Sequence, residues 1–247
     1  MAIEWGVSLL RLSIFSSGPT SISDNDWKML TGQEEAENRT AIPGGRRYSG
    51  KYANGSLTLA STADRLDMVL QAQPPQSEEE LRLPLIGPWS DVRGTFIEMC
   101  HRLLTSTQAP IVRVAFGGVL LSPSSDKEDS YRRLNRLLTT IDIDPVKMRD
   151  LFYRINWPST SNTTGHLLNR ITTWATIKFA VTLMQVTGDR ISVAAGAEKE
   201  VHAVRLEFDN NTDAESKSVI DKASIVPVFD ELVSLANENA EKGEIQS

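Results

Sequence analysis

Apolar and polar positions along the 247-residue chain follow two periods in turn. Over residues 3–15 they alternate loosely, with Val7, Leu9 and Leu12 to Ile14 apolar, until Ser16-Ser17-Gly18-Pro19 breaks the run. This predicts a first strand. Residues 24–30 predict a short helix capped by Ser23 or Asp24, with Trp27 and Leu30 on its apolar side. The polar and acidic residues 31–40 read as a loop. Beyond Pro43-Gly44-Gly45, the runs RRYSGKYA and SLTLAST flank Asn54-Gly55, a pair suited to the positive backbone dihedrals of a tight hairpin turn. A reversal at 62–65 leads into LDMVLQAQ, where Leu66, Met68 and Leu70 alternate with polar residues. Three antiparallel strands are expected here.

The second period is helical. After a proline and acid linker at 74–80 and a stiff approach at 84–88, Val92, Phe96, Met99, Cys100, Leu103 and Leu104 form one stripe of a helix ending near 105. Ala109-Pro110 stops it. IVRVAFGGVLL at 111–121 predicts a buried strand in which Gly117-Gly118 marks a bulge or a close backbone approach. Ser125 and Asp126 cap a helix carrying Tyr131, Leu134, Leu137, Leu138 and Ile141. Asp144-Pro145 predicts a further helix with Met148, Leu151, Phe152 and Ile155 on one face. Trp157-Pro158 ends it, and residues 159–165 form a polar loop.

From 171 to 184 the chain is rich in β-branched and aromatic residues, with Ile177, Phe179, Val181 and Leu183 expected on the core face. A turn at 187–189 leads to two more strands with a turn near 196–199. In the second of these Val204, Leu206 and Phe208 share the apolar face. Residues 210–217 read as a loop, 225–240 as a final helix with Val228, Leu232, Val233, Leu235 and Ala236 inward, and 241–247 as a frayed tail. Long antiparallel runs with amphipathic helices gathered on one face predict an α+β fold. The expected organisation is a single domain over 1–247, with two strand and helix halves, 3–105 and 171–242, joined by a central strand and two helices at 110–156.

Composition narrows the class. With 40% hydrophobic residues the chain can build its own core, and a lone Cys100 excludes an internal disulfide and a cysteine zinc site. No apolar run is long enough to span a bilayer, and the opening residues carry Glu4 where a basic leader is expected, so no membrane association is anticipated. The net charge of -6 argues against a general nucleic-acid coat. Residues 197–247 hold 12 acidic and 5 basic residues, a surface suited to a basic partner.

Candidate chemistry is sparse. His101, His166 and His202 lack zinc spacing, no serine sits in a nucleophile elbow, and neither glycine pair has the strand-glycine-helix context of a phosphate loop. No cofactor or metal is expected. Asp64, Asp67 and Glu200 are the carboxylates from which a metal-dependent hydrolase or nuclease site would have to assemble. Arg46, Arg47, Tyr48, Lys51 and Tyr52 have the basic and aromatic composition of a nucleic-acid contact, although edge strands also carry Lys and Arg simply to discourage sheet pairing. Asn156, Trp157, Asn169, Arg170 and Trp174 bracket the polar loop as a hinge, structural or recognising.

The segments RINWPS at 154–159 and LLNRITTW at 167–174 resemble a pattern in a sporadically distributed, uncharacterised bacterial protein family of similar size. The shared features are an Asn before a proline-containing loop, an Asn-Arg pair and a Trp at the head of a strand. The resemblance implies a bacterial, cytoplasmic setting, and the scattered distribution of that family is that of mobile or defence-associated cargo. It carries no residue role. The expected function is a non-catalytic binding or assembly subunit of a bacterial multi-protein complex, as an accessory component of phage defence. Protein partners are expected, with nucleic acid a candidate through the basic hairpin.

Overall fold

Period-two alternation builds most of the computed structural model, which describes residues 3–74, 82–181, 184–187, 190–193 and 199–244. Strand β1 (Gly6–Ser16) buries Leu10, Leu12 and Ile14 and turns Arg11, Ser13 and Phe15 to the other side. Helix α1 (Asp24–Thr31) follows a capping box in which Ser23 and Asp26 bond each other's backbone amides, and Gly32, with φ of 73°, ends it in the left-handed region. Four strands come next: β2 (Asn38–Ile42), β3 (Gly45–Tyr52), β4 (Gly55–Ser61) and β5 (Arg65–Ala72). The two-residue β6 (Gly87–Pro88) leads into α2 (Trp89–Ser106).

The chain then repeats the theme. It forms β7 (Ile111–Ser124), α3 (Lys127–Leu137), β8 (Phe152–Asn156), β9 (Ser159–Thr160), β10 (Leu167–Val181), β11 (Met184–Thr187), β12 (Arg190–Val193), β13 (Lys199–Thr212) and α4 (Lys222–Lys242). One antiparallel sheet has the order β2-β3-β4-β5-β1-β7-β13-β10-β8, with β6 beside β1 and β9 beside β10, while β11 and β12 pair as a separate ribbon. The order is mirrored about the β1–β7 pair. Strands β1 and β7 sit at the centre, flanked by β5 and β13, so the second arm of the sheet begins at Ile111, in the stretch expected to join the two halves.

All four helices lie on one face, so the fold is α+β with a single main core. Trp27, Phe96, Phe116, Tyr131, Trp174, Phe208 and Phe229 are fully buried within it. Phe116 sits at 5.2 Å from Phe208 and 5.6 Å from Phe229, tying β7 and β13 to α4. Gly118 is required at its site, because a Cβ there would lie 2.5 Å from the Phe208 ring. Among the described residues the opposite sheet face carries no helix. At one end the segment 82–86 crosses it, and Leu83 packs on Leu121 and Ala203 with Leu85, Val119, Ile177, Phe179 and Val201 around them.

Several expectations need correction. The helix expected from Asp144 is absent: Asp144 Oδ1 accepts from the amides of Val146 and Lys147 to close a single turn, Asp150 adopts φ of 54°, and Phe152–Asn156 becomes a strand paired to β10. The end of the loop expected at 31–40 is edge strand β2. The hairpin turn falls on Ala53 and Asn54, with φ of 49° at Ala53. Gly55 lies within β4, where a Cβ would meet the Gln71 carbonyl oxygen at 2.5 Å.

In β10 the residues facing the helices are Leu168, Arg170, Thr172 and Trp174, so Ile177 and Phe179 belong to the smaller cluster on the other face. The expected frayed tail is fastened as far as Glu244, whose amide donates to the Leu137 carbonyl at 2.8 Å. The core role given to Leu183, most of the linker at 74–80, the turn residues 188–189 and 196–198, and residues 245–247 lie outside the described residues.

Candidate binding face

The helix-free sheet face is built by the residues that alternate with the core. Because the register is continuous, side chains from successive strands line up in rows. One row runs Asn169, Asn211, Ala115, Ser13, Asp67, Ala60 and Arg47 through β10, β13, β7, β1, β5, β4 and β3. The next runs Asn156, Ile171, Asp209, Gly117, Arg11, Val69, Thr58 and Ser49. Small residues occupy much of the middle, and the long polar side chains lie over them.

A polar rail crosses this face. Asn156 Nδ2 donates to Asn169 Oδ1 at 2.9 Å, and Asn169 Nδ2 donates to Asn211 Oδ1 at 3.2 Å. Arg113 Nη2 donates to the same Asn211 oxygen at 3.0 Å. On the neighbouring strand the Phe15 ring is flanked by two guanidinium groups, with Arg113 at 4.8 Å and Arg65 at 5.0 Å from its centroid. Arg65 is held in place by Asp67, with Nε and Nη2 each 2.8 Å from a carboxylate oxygen. Arg11 lies flat across Gly117, where a Cβ would come within 3.2 Å of its Nη2, and reaches Asp209 only at 3.7 Å.

Charge is unevenly shared between the two sides. By register the helix-free face carries the basic residues Arg11, Arg47, Lys51, Arg65, Arg113, Arg154 and Arg205, against the acids Asp67, Glu207 and Asp209. Arg65 and Arg205 have close carboxylate partners. Arg113 has only the neutral Asn211 amide, while Arg47, Lys51 and Arg154 are exposed. A chain with net charge -6 thus gathers an excess of cations on one face.

The hairpin residues divide by strand parity. Arg47 and Lys51 point to the helix-free face, whereas Tyr48 is 4% exposed and buried on the helix side, so it is not available for stacking. Tyr52 and Arg46 share the side of Tyr48. The hinge residues divide likewise. Asn156 and Asn169 belong to the rail. Trp174 is fully buried 6.3 Å from Trp5. Arg170 is buried among the helices, donating from Nε at 2.9 Å and Nη2 at 2.7 Å to Asn239 Oδ1, with Glu238 at 3.5 Å. Burial lowers its pKa and Glu238 acts against that shift.

Trp157 fastens the C-terminal end. Its Nε1 donates to Glu244 at 3.3 Å, alongside Tyr153 Oη at 2.8 Å and the Thr140 hydroxyl. Burial pushes the Glu244 carboxyl up, but these donors outweigh it and hold the group below its ordinary range. Glu231 plays the same part for the polar loop, accepting from the amides of Asn162 and Thr163 at 3.0 Å and from the hydroxyls of Ser161 and Thr163. Its carboxyl is likewise pushed up by burial and drawn lower by the donors, with a net downward shift.

The three carboxylates considered for a metal site do not meet. Asp64 sits at the β4–β5 reversal, and Asp67 is engaged by Arg65 and Ser13 on the helix-free face. Glu200 pairs with Lys178 and His202 at the far end of β13. Among the described residues no group of three His, Cys, Asp or Glu is placed to hold a metal ion. No described helix is long and apolar enough to cross a membrane. A cleft of about 710 Å³ lies between Trp5, Leu85, Trp89 and Ala240, and the hydroxyl on its wall, Ser90, donates to Asp91 at 2.7 Å.

Sequence reasoning missed Arg11, Phe15, Arg113 and Asn211 because they are isolated in the chain and become neighbours only through strand pairing. Comparison with known proteins finds no family model that matches this chain and no curated protein that does so.

Proposed function

We propose that this protein is a non-catalytic binding or assembly subunit of a bacterial multi-protein complex, cytoplasmic and accessory to phage defence, and that it engages its partner through the helix-free face. The observation that carries this reading is the face itself: polar and cationic side chains across adjoining strands, of which Asn156, Asn169, Arg113 and Arg65 are each held by a neighbour, with no helix over them among the described residues. Pre-positioned side chains lower the entropic cost of recognition. The setting rests on the resemblance of RINWPS and LLNRITTW, and two of the asparagines in those segments, Asn156 and Asn169, lie on this face.

Co-purification tests it. The tagged chain, expressed with its genomic neighbours, should retain a partner that the double variant Arg47→Glu, Lys51→Glu loses while its melting temperature stays unchanged. A chain that purifies as a lone monomer, with neither protein nor nucleic acid bound, contradicts the reading.

A further inference from the structure

We infer that the partner seated on the helix-free face is a nucleic acid, held by its phosphates on the arginines and by a base on Phe152. The inference rests on the binding-face reading above and names the class of partner. Charge complementarity is the first argument. From Arg47 on β3 to Arg154 on β8 the cations spread over seven strand spacings, roughly 34 Å at the usual separation between strands. They occupy several register rows rather than one, and with Arg65 and Arg205 already paired to carboxylates the charge open to an anion comes from Arg47, Lys51, Arg11, Arg113 and Arg154.

The second argument separates a nucleic acid from a protein. The centre of a protein interface is depleted of charge and rich in large apolar anchors. Here the centre is Ser13, Ala115, Gly117 and Ala60, with Arg11, Arg47, Arg65 and Arg113 around them and Asp67 and Asp209 beside Arg65 and Arg11, and the half-buried apolar cluster at the far end is already covered by the segment 82–86. The third is geometric. Phe15 is half-buried, with Arg65 and Arg113 on either side. With both guanidinium groups over its ring, Phe15 holds the two arginines in place and has no face left for a base. The aromatic open to a base is Phe152, 66% exposed on the same face at β8 and two residues from Arg154.

The experiment is fluorescence anisotropy with labelled single-stranded DNA, single-stranded RNA and duplex DNA of about 20 nucleotides, and with a poly-glutamate peptide of equal charge. The account expects an oligonucleotide to bind the full chain. For a single strand the affinity should fall about 50-fold between about 50 and about 200 mM salt if about four phosphates are neutralised. Arg11→Glu with Arg113→Glu should weaken binding at least about tenfold. Phe152→Ala should weaken it several-fold at unchanged salt dependence, and Arg136→Glu on α3 should leave it alone. Because the first pair is half-buried, the exposed pair Arg47→Ala, Lys51→Ala serves as a second measure, with circular dichroism reporting the fold of each.

Failure to bind any oligonucleotide, binding indifferent to both pairs, or poly-glutamate bound as tightly as the oligonucleotide overturns the inference. If, alongside such failure, the co-purified partner is a protein released by Arg47→Glu, Lys51→Glu, the binding-face reading stands and only the nucleic-acid assignment falls.

Discussion

At the scale of single residues, the side chains that hold the molecule together are the large ones taken fully out of water. Trp174 is fully buried against Trp5, whose own indole donates to the Ala240 carbonyl at 2.8 Å. Trp174→Ala should therefore cost about 3 to 5 kcal/mol, read as a fall in melting temperature. An unchanged melting temperature with partner binding abolished would make Trp174 a recognition residue instead. Arg170→Met tests the buried polar knot. It strands Asn239 beside Glu238 and should cost roughly 3 kcal/mol in urea unfolding, whereas a neutral result would mean the knot contributes nothing net.

Glu244 gives the pH prediction. Its carboxyl titrates below its ordinary value in the folded chain, so its contribution is complete above that ordinary value and is lost as pH falls through the folded one. Glu244→Gln should cost about 1 to 3 kcal/mol at neutral pH, and the difference from wild type should shrink below about pH 4. Thermal melts across that range measure it, and a gap that stays constant down to about pH 3 contradicts the assignment.

At the scale of elements, the parts legible in the sequence were those with a local cause. The capping box before α1, the stripe of α2 and the alternation of β5 and β13 each follow from neighbours a few residues apart. The segment 144–155 was misread as a helix because Met148, Leu151, Phe152 and Ile155 fit a helical stripe as well as a strand pair. What decides is the long-range ladder to β10, which no local pattern contains. Gly118 was legible as a close approach but not its partner, since Phe208 lies 90 residues further on. Gly118→Ala should push against that ring and cost about 1 to 3 kcal/mol. Chemical denaturation would read the loss, and an unaltered midpoint would show that Phe208 can move aside freely.

At the scale of the whole molecule, the sheet sorts charge that the sequence leaves mixed. Helix α4 carries Asp230, Glu231, Glu238 and Glu241, whereas the opposite side gathers the arginines of six strands. Net charge of -6 seemed to argue against polyanion binding, but it averages over two faces with opposite balance. The RRYSGKY hairpin was read as one basic and aromatic patch. Period-two alternation splits it, so Arg47 and Lys51 join the arginines while Tyr48 joins the core.

The central claim is that the helix-free face is the one a partner covers, and arginine-specific labelling of the purified native complex tests it most directly. Phenylglyoxal modification, read by mass spectrometry with and without the partner, should show Arg11, Arg47, Arg113 and Arg154 protected in the complex. Arg102 on α2 and Arg132 and Arg136 on α3 should react equally in both samples. Protection of Arg102, Arg132 and Arg136, with the face arginines still reactive, would place the partner on the helix layer and contradict the account.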